Sequence, residues 1–186
     1  PTGVEAVNLH GMRPLQAQVD SQNSSLLLGG PLLAAAPTWA DLTWLREQTR
    51  LPILLKGIMS GIDAEQALAA GVDGLIVSNH GGRTLDGLPA TIDVLPEIAA
   101  AVQGRVPLLL DGGIRRGSDI LKALALGADA VLVGRPYVFA LAAAGAVGVA
   151  HVLQLLRADL EVAMALTGCA DLASIGPDVI WRPVVR

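Results

Sequence analysis

The sequence predicts an α/β protein built on a parallel sheet, with four successive strand-then-helix units that amount to half of a TIM (β/α)8 barrel. Three observations lead there. Short apolar runs alternate with helical stretches that stop at glycine, the pattern of parallel strands joined by crossover helices. The runs are apolar throughout rather than alternating, as strands covered on both faces are. The composition agrees, with 21 glycines, 52% hydrophobic residues and only 3% aromatics, so the packing rests on Ala, Leu, Val and Ile.

Taken in order, residues 1–37 hold no sustained period of 2 or 3.6 and are read as one long loop. Its apolar part, Leu26 to Ala36, is broken by Gly29-Gly30-Pro31 and is read as a lid or as a membrane-surface contact. Thr38 is expected to cap a helix carrying Trp39, Leu42, Trp44 and Leu45. The first strand then ends in Lys56-Gly57, and a helix through Ala64 to Ala70 stops at Gly71. The second, Leu75 to Val77, ends in Ser78-Asn79-His80-Gly81-Gly82-Arg83, with a helix from Thr91 to Val102. The third, Val106 to Leu110, ends in Asp111-Gly112-Gly113, with Ser118 expected to cap a helix that stops at Gly127. The fourth, Ala130 to Val133, ends in Gly134-Arg135 and leads into helix 136–144. The small apolar residues from Pro136 to Ala150 fall short of the about 20 that a bilayer span needs, so they read as a buried helix and its turn. A last helix, Val147 to Leu166, offers Val152, Leu155, Leu156, Leu160, Val162 and Met164 as an apolar face, and the tail to Arg186 is expected to wrap the exterior. Half a barrel leaves two open sheet edges, so the remaining units are expected from another polypeptide segment, an N-terminal half-barrel.

A chain of 186 residues has material for one substantial core, and a net charge of −4 disfavours nucleic acid as a partner. The single Cys169 excludes an internal disulfide and suits a reducing compartment. Pro1 to Glu5 has neither the basic head nor the apolar core of a signal peptide, so a cytoplasmic location is expected. No cluster suggests a metal.

The chemistry-bearing residues stand at strand ends, where parallel α/β structures present their sites. His80 can take a proton near neutral pH, Arg83 can clamp a carboxylate with two parallel hydrogen bonds, and Gly81 and Gly82 let a flat ligand approach the backbone. A lone histidine is more often structural than catalytic; its place at a strand end beside an arginine favours catalysis. Lys56 follows apolar residues, an awkward place for an ammonium unless an anion faces it, and the alternative is a lysine extended to the rim. Asp111-Gly112-Gly113-Ile114-Arg115 and Gly134-Arg135 read as a pair of phosphate-holding loops.

At these residues the sequence resembles the FMN-dependent α-hydroxy acid oxidase and dehydrogenase family, which acts on acids such as glycolate, lactate and mandelate. The resemblance covers roughly residues 38–180 and corresponds to the C-terminal half of a family member, strands 5 to 8 of its barrel. It implies FMN as the cofactor. Lys56 would stand beside N1 and the C2 oxygen of the flavin, Ser78 would contact the ring, Arg115, Gly134 and Arg135 would hold the phosphate, and Asp111 with the main chain of Gly112, Gly113 and Ile114 would hold ribityl and phosphate oxygens. His80 would be the base and Arg83 the substrate clamp, in the oxidation of a small L-2-hydroxy acid to the 2-oxo acid with oxygen or another acceptor as the final oxidant. Complete barrels of the family are expected to form tetramers. Thr84 departs from the family, where glutamine is frequent, and Arg116, His10 and His151 receive no role. Two alternatives stand beside this reading. One is another FMN or phosphate-binding barrel such as isopentenyl diphosphate isomerase, which lacks the His80 and Arg83 pair. The other is a non-catalytic half-barrel subunit, in which replacing His80 changes no activity.

Overall fold

A computed structural model describes residues 36–181; the loop expected over residues 1–37 lies almost entirely outside them, as do the last five residues of the tail. Contacts divide the chain into two units, Pro1–Asp41 and Leu42–Arg186. In the first, the main-chain N–H and the hydroxyl of Thr38 both donate to the Asp41 carboxylate, at 2.6 and 2.8 Å. Thr38 therefore does not cap in the expected sense, because its hydroxyl donates to the helix's first acid instead of accepting from a helix amide. These bonds hold the Asp41 carboxyl below its ordinary pKa, the main-chain one foremost.

The second unit carries the sheet. Four parallel strands stand in chain order: β1 (Leu54–Ile58), β2 (Gly74–Val77), β3 (Leu108–Leu110) and β4 (Ala130–Val131). Between them run α2 (Gly61–Ala69), α3 (Thr91–Val102) and α4 (Gly117–Ala125), with α1 (Asp41–Gln48) before and α5 (Arg135–Thr167) after. All four expected βα units are present, and α3 has the predicted bounds.

Alternation along the strands sorts their side chains. Leu55, Ile58, Leu75, Val77, Leu108, Leu110, Val131 and Val133 face the helices and pack with Leu95, Ile98 and Val102 of α3 and Ala64 and Ala67 of α2. The other face carries Leu54, Lys56, Ile76, Ser78, Leu109 and Asp111. β2 is buried along its whole length, whereas on the edge strand β1 Leu54 is 43% exposed. The expectation of apolar cover on both faces is thus met at the centre of the sheet, where Ile76 is buried, and not at its edge. Between Lys56 and Ile58 the register slips, with Gly57 at φ 102°. This bulge returns Ile58 to the helix side after Lys56 has pointed to the other.

Two units share a latch that periodicity does not reveal. In Gly71-Val72-Asp73, the carboxylate of Asp73 accepts from Ile53 N at 2.7 Å, while Asp73 N donates to Ile53 O at 2.8 Å. In Gly127-Ala128-Asp129, the carboxylate of Asp129 accepts from Leu108 N and Asp129 N donates to Leu108 O, both at 2.7 Å. Each aspartate ties the start of one strand to the chain entering the next. Asp73 also receives Arg46 of α1 at 2.5 Å, and that bond first, then the Ile53 amide, lowers its pKa.

Ser60 caps α2 through a bond from Asp63 N at 3.1 Å. Two helix details correct the expectations. Ser118 does not cap α4: the carboxylate of Asp119 accepts from Arg115 N and Arg116 N at 3.0 Å each, and Asp159 of α5 accepts from Gly117 N at 2.6 Å. The Pro136 to Ala150 run is not buried. α5 breaks at Ala144 (φ −149°) and Gly145 (φ 58°, ψ −145°), and the chain turns so sharply that Gly148 lies against Ala140 O. The mean hydropathy of α5 reaches the level of a membrane span, 1.9 over its most apolar window. However, the helix is interrupted by this turn and carries Arg157, Asp159 and Glu161 beyond it. Along the expected apolar face only Leu156 is buried; Leu155 and Val162 stand 55% and 56% exposed, because no described element packs on that side. α1 is likewise open, with Trp44 61% exposed.

Where α4 meets α5 the backbones touch. A Cβ added to Gly117 would lie 1.9 Å from Leu160 N, which cannot be relieved by a side-chain rotation. Gly117→Ala is expected to lower stability by about 1–3 kcal/mol through overpacking, read as a fall in the midpoint of chemical unfolding. Asp73 supplies a second test. A carboxyl with a lowered folded pKa contributes stability that is present above its unfolded value and lost as pH falls through the folded one. Asp73→Asn should therefore be less stable than the parent at pH 7 and show a smaller further loss between about pH 5 and 2.

Candidate active site

The site is laid out by register. Lys56 pairs with Ile76, and Ile76 with Leu109, so the residues two further along, Ser78 and Asp111, present their side chains on the same face one step nearer the carboxyl edge. The Lys56 side chain reaches forward to both. Its Nζ donates to Ser78 Oγ and meets Asp111 Oδ2 at 2.5 Å. Asp111 is 19% exposed and Lys56 40%, so the pair is partly withdrawn from solvent on the carboxylate side and open on the ammonium side. The other carboxylate oxygen, Asp111 Oδ1, is buried and receives no hydrogen bond from the described residues. Ser78, only 3% exposed, uses the same oxygen to accept from His80 N at 3.1 Å, which ties the start of the histidine loop to the lysine.

The loop after β2 turns through three consecutive left-handed residues, His80 (φ 54°), Gly81 (φ 68°) and Gly82 (φ 75°). The glycines adopt this freely; His80 pays for it with backbone strain, a feature that gathers at functional sites. Asn79 holds the turn, its Oδ1 accepting from Gly82 N and its Nδ2 donating to Pro89 O, both at 3.2 Å. The result is an exposed imidazole at the carboxyl edge. The guanidinium of Arg135, arriving from the end of β4, lies about van der Waals distance from Gly81: a Cβ there would be 3.5 Å from Nη2. Arg135 and the histidine loop thus share one rim of the sheet.

The loop after β3 is glycine-built for a physical reason. Gly112 and Gly113 both take φ 89°, and a Cβ at Gly112 would press on Thr91 Oγ1 at 3.0 Å and Asn79 Oδ1 at 3.2 Å. Ile114 is 5% exposed with its side chain in the core, so only its main chain can meet a ligand. Arg83, Arg115 and Gly134 are exposed, and the side chains of Arg83 and Arg115 make no hydrogen bond to the described residues. The structure therefore brings Lys56, Ser78, Asp111 and the His80 main chain into direct contact and sets Arg135 against Gly81, while Arg83 and Arg115 stand free. Asn79 and Thr91 escaped the sequence reading: their types are ordinary for a turn and a helix start, and only the fold shows that both touch Gly112.

A strand-end cation beside a partly buried carboxylate, a histidine loop and two arginine-bearing glycine turns on one edge of a parallel sheet define an α/β protein with a candidate site for an anionic ligand. The sequence model of the FMN-dependent dehydrogenase family matches residues 4–182, and the chain belongs to that family. It is 59% identical over 144 residues to 2-hydroxyacid oxidase of Dictyostelium discoideum, covering 77% of this chain and 37% of the relative. It is 53% identical over 168 residues to L-lactate oxidase of Alicycliphilus denitrificans, covering 90% of this chain and 46% of the relative. Among solved structures it is similar to mandelate oxidase, with 52% identity and a TM-score of 0.73 over 76% of this chain and 41% of that one. The chain therefore spans less than half the length of these relatives.

The strained histidine yields a prediction separable from catalysis. His80→Gly should leave folding stability unchanged or raise it by up to about 1 kcal/mol, since relief of the left-handed strain offsets the added freedom of the unfolded chain. Chemical unfolding reads this directly; a loss larger than 1 kcal/mol would mean that the imidazole packs as a structural group.

Proposed function

We propose that this chain is the C-terminal half, strands 5 to 8, of a TIM barrel completed by an N-terminal half-barrel segment, and that the complete protein oxidises a small L-2-hydroxy acid to the 2-oxo acid with FMN. The observation that carries the reading is the Lys56 ammonium held between Ser78 and Asp111 on the same edge as His80 and Arg135. The exposure of Leu54 on the edge strand β1 and the share of the relatives that is matched support the half-barrel. Tetramers of complete barrels belong to the same reading.

The residues fit the cofactor. Lys56 offers a positive charge with one side open, Asp111 Oδ1 is a buried acceptor suited to a hydroxyl donor such as a ribityl group, and Gly112 and Gly113 leave main chain accessible where side chains would intrude. Arg115 and Arg135, with the amides near Gly113, Ile114 and Gly134, would hold the phosphate, and Ser78 and Lys56 would border the ring. When bound, FMN would take up the electron pair lost from the substrate's α-carbon together with one of the two protons released.

The chain's own residues do the rest. Arg83, exposed and without a side-chain hydrogen bond to the described residues, would receive the substrate carboxylate in a two-pronged pair, which favours 2-hydroxy acids over plain alcohols. This anchoring sets the α-carbon beside His80. The imidazole would accept one of the two protons that the acid loses as its C–H and O–H bonds break and the carbonyl forms, and would release it to solvent at the exposed rim. Lys56 would balance negative charge that gathers on the ring, and Asp111 and Ser78 keep the ammonium from drifting to solvent.

The test uses the full-length protein. It should purify yellow and bleach on addition of glycolate, lactate or mandelate under nitrogen, and His80→Gln should slow the bleaching at least about a hundredfold while retaining the colour. Colourless protein, or bleaching that His80→Gln leaves unaltered, would overturn the assignment.

A further inference from the structure

Thr91 is, with Ser78, one of two buried polar side chains among the described residues, 1% exposed at the first turn of α3, and no step above uses it. Its hydroxyl lies 2.6 Å from Asp111 O and 3.1 Å from Gly112 O, so its single proton is committed to the turn that follows β3. Gly112 is clasped on two sides, with Thr91 Oγ1 and Cγ2 at 3.0 and 3.3 Å and Asn79 Oδ1 at 3.2 Å from where a Cβ would stand. Asn79 in turn is bound to Gly82 N and Pro89 O. Three segments, the histidine loop, the start of α3 and the Asp111 turn, therefore meet around Gly112.

We infer that Thr91 is a positioning residue: it fixes the main chain of Asp111 and Gly112 so that the Asp111 carboxylate stays on Lys56 and the glycine amides face the ligand. This rests on the FMN reading of the site. The physics is that of a buried donor serving a turn that cannot lock itself. Gly112 and Gly113 at φ 89° have no side chains to lock their conformation, and glycine gains more than any residue by leaving a fixed one. Something outside the turn must hold it, and at its start the hydroxyl of Thr91 does so. At its far end Asp119 plays the matching part by accepting from Arg115 N and Arg116 N. Asp111 is pinned at both its carbonyl and its carboxylate, so loosening the first releases the second.

Thr91→Val keeps the shape and removes the donor to Asp111 O. In the full-length protein it should weaken FMN binding about tenfold by fluorescence titration and speed amide exchange at Gly112 and Gly113 in the flavin-free form, while KM for the hydroxy acid changes less than about twofold because His80 and Arg83 are not touched. Thr91→Ser, which restores the hydroxyl, should recover FMN affinity to within about threefold. In an Asp111→Asn background Thr91→Val should add less than about twofold, since the residue it acts through is already impaired. Should Thr91→Val fail to fold, Thr91→Cys, a weaker donor of similar size, is expected to show an intermediate loss, and wild-type affinity there would overturn the inference. Wild-type affinity or exchange in Thr91→Val, failure of Thr91→Ser to recover, or fully additive losses with Asp111→Asn would do the same. A parent protein that takes up no FMN would instead sink the oxidase reading, and this inference with it.

Discussion

The constraint on which the rest depends is electrostatic: an ammonium at the end of an apolar strand has to be satisfied without being neutralised. Lys56 cannot withdraw into the sheet, where its charge would lose hydration. It is met instead by a hydroxyl just past the end of β2 and one carboxylate oxygen just past the end of β3. That solution demands parallel strands in a definite register, because Ser78 and Asp111 must fall one side-chain step beyond the lysine's own neighbours. The bulge at Gly57, which lets the chain carry Lys56 on one face and Ile58 on the other, follows from the same demand. So do the aspartate latches of Asp73 and Asp129, which fix where strands begin and therefore where they end.

Around this cation the fold spends backbone strain where function needs reach. Three left-handed residues in succession deliver His80 to the rim, and two more glycines of positive φ open the Asp111 turn. Such turns are held from outside by Asn79, Thr91 and Asp119, short polar side chains that supply hydrogen bonds the turns cannot make within themselves. The supporting groups are thus tied down, while Arg83 and Arg115 are exposed and make no side-chain hydrogen bond to the described residues.

The unequal distribution of cover points the same way. The helix-facing side of the sheet is packed into one core, yet Leu54 on the edge strand, Trp44 of α1 and most of the apolar residues of α5 face solvent. A chain that buries β2 completely and leaves its flanks bare has the pattern of a piece of a larger core, which agrees with a chain that matches less than half of each relative.

Much of this was open to reading in the residues themselves. Runs such as Leu108-Leu109-Leu110 between glycines announce buried parallel strands, Thr91 to Val102 announces its helix, and the motifs at Lys56, Ser78 to Arg83, Asp111 to Arg115 and Gly134-Arg135 fall at strand ends because strand length and glycine stops are local properties. Contacts between distant segments are not local. That Asp159 rather than Ser118 serves the start of α4, that the apolar run after Pro136 turns at Gly145 and stays exposed, and that Thr91 and Asn79 clasp Gly112 depend on which surfaces the crossovers bring together. Sequence by itself determined the elements and the chemical groups at their ends, since propensity and side-chain chemistry travel with each residue. Only the tertiary structure decided which groups meet, because a hydrogen bond between residues 20 or 55 positions apart exists only once strands have paired in one register.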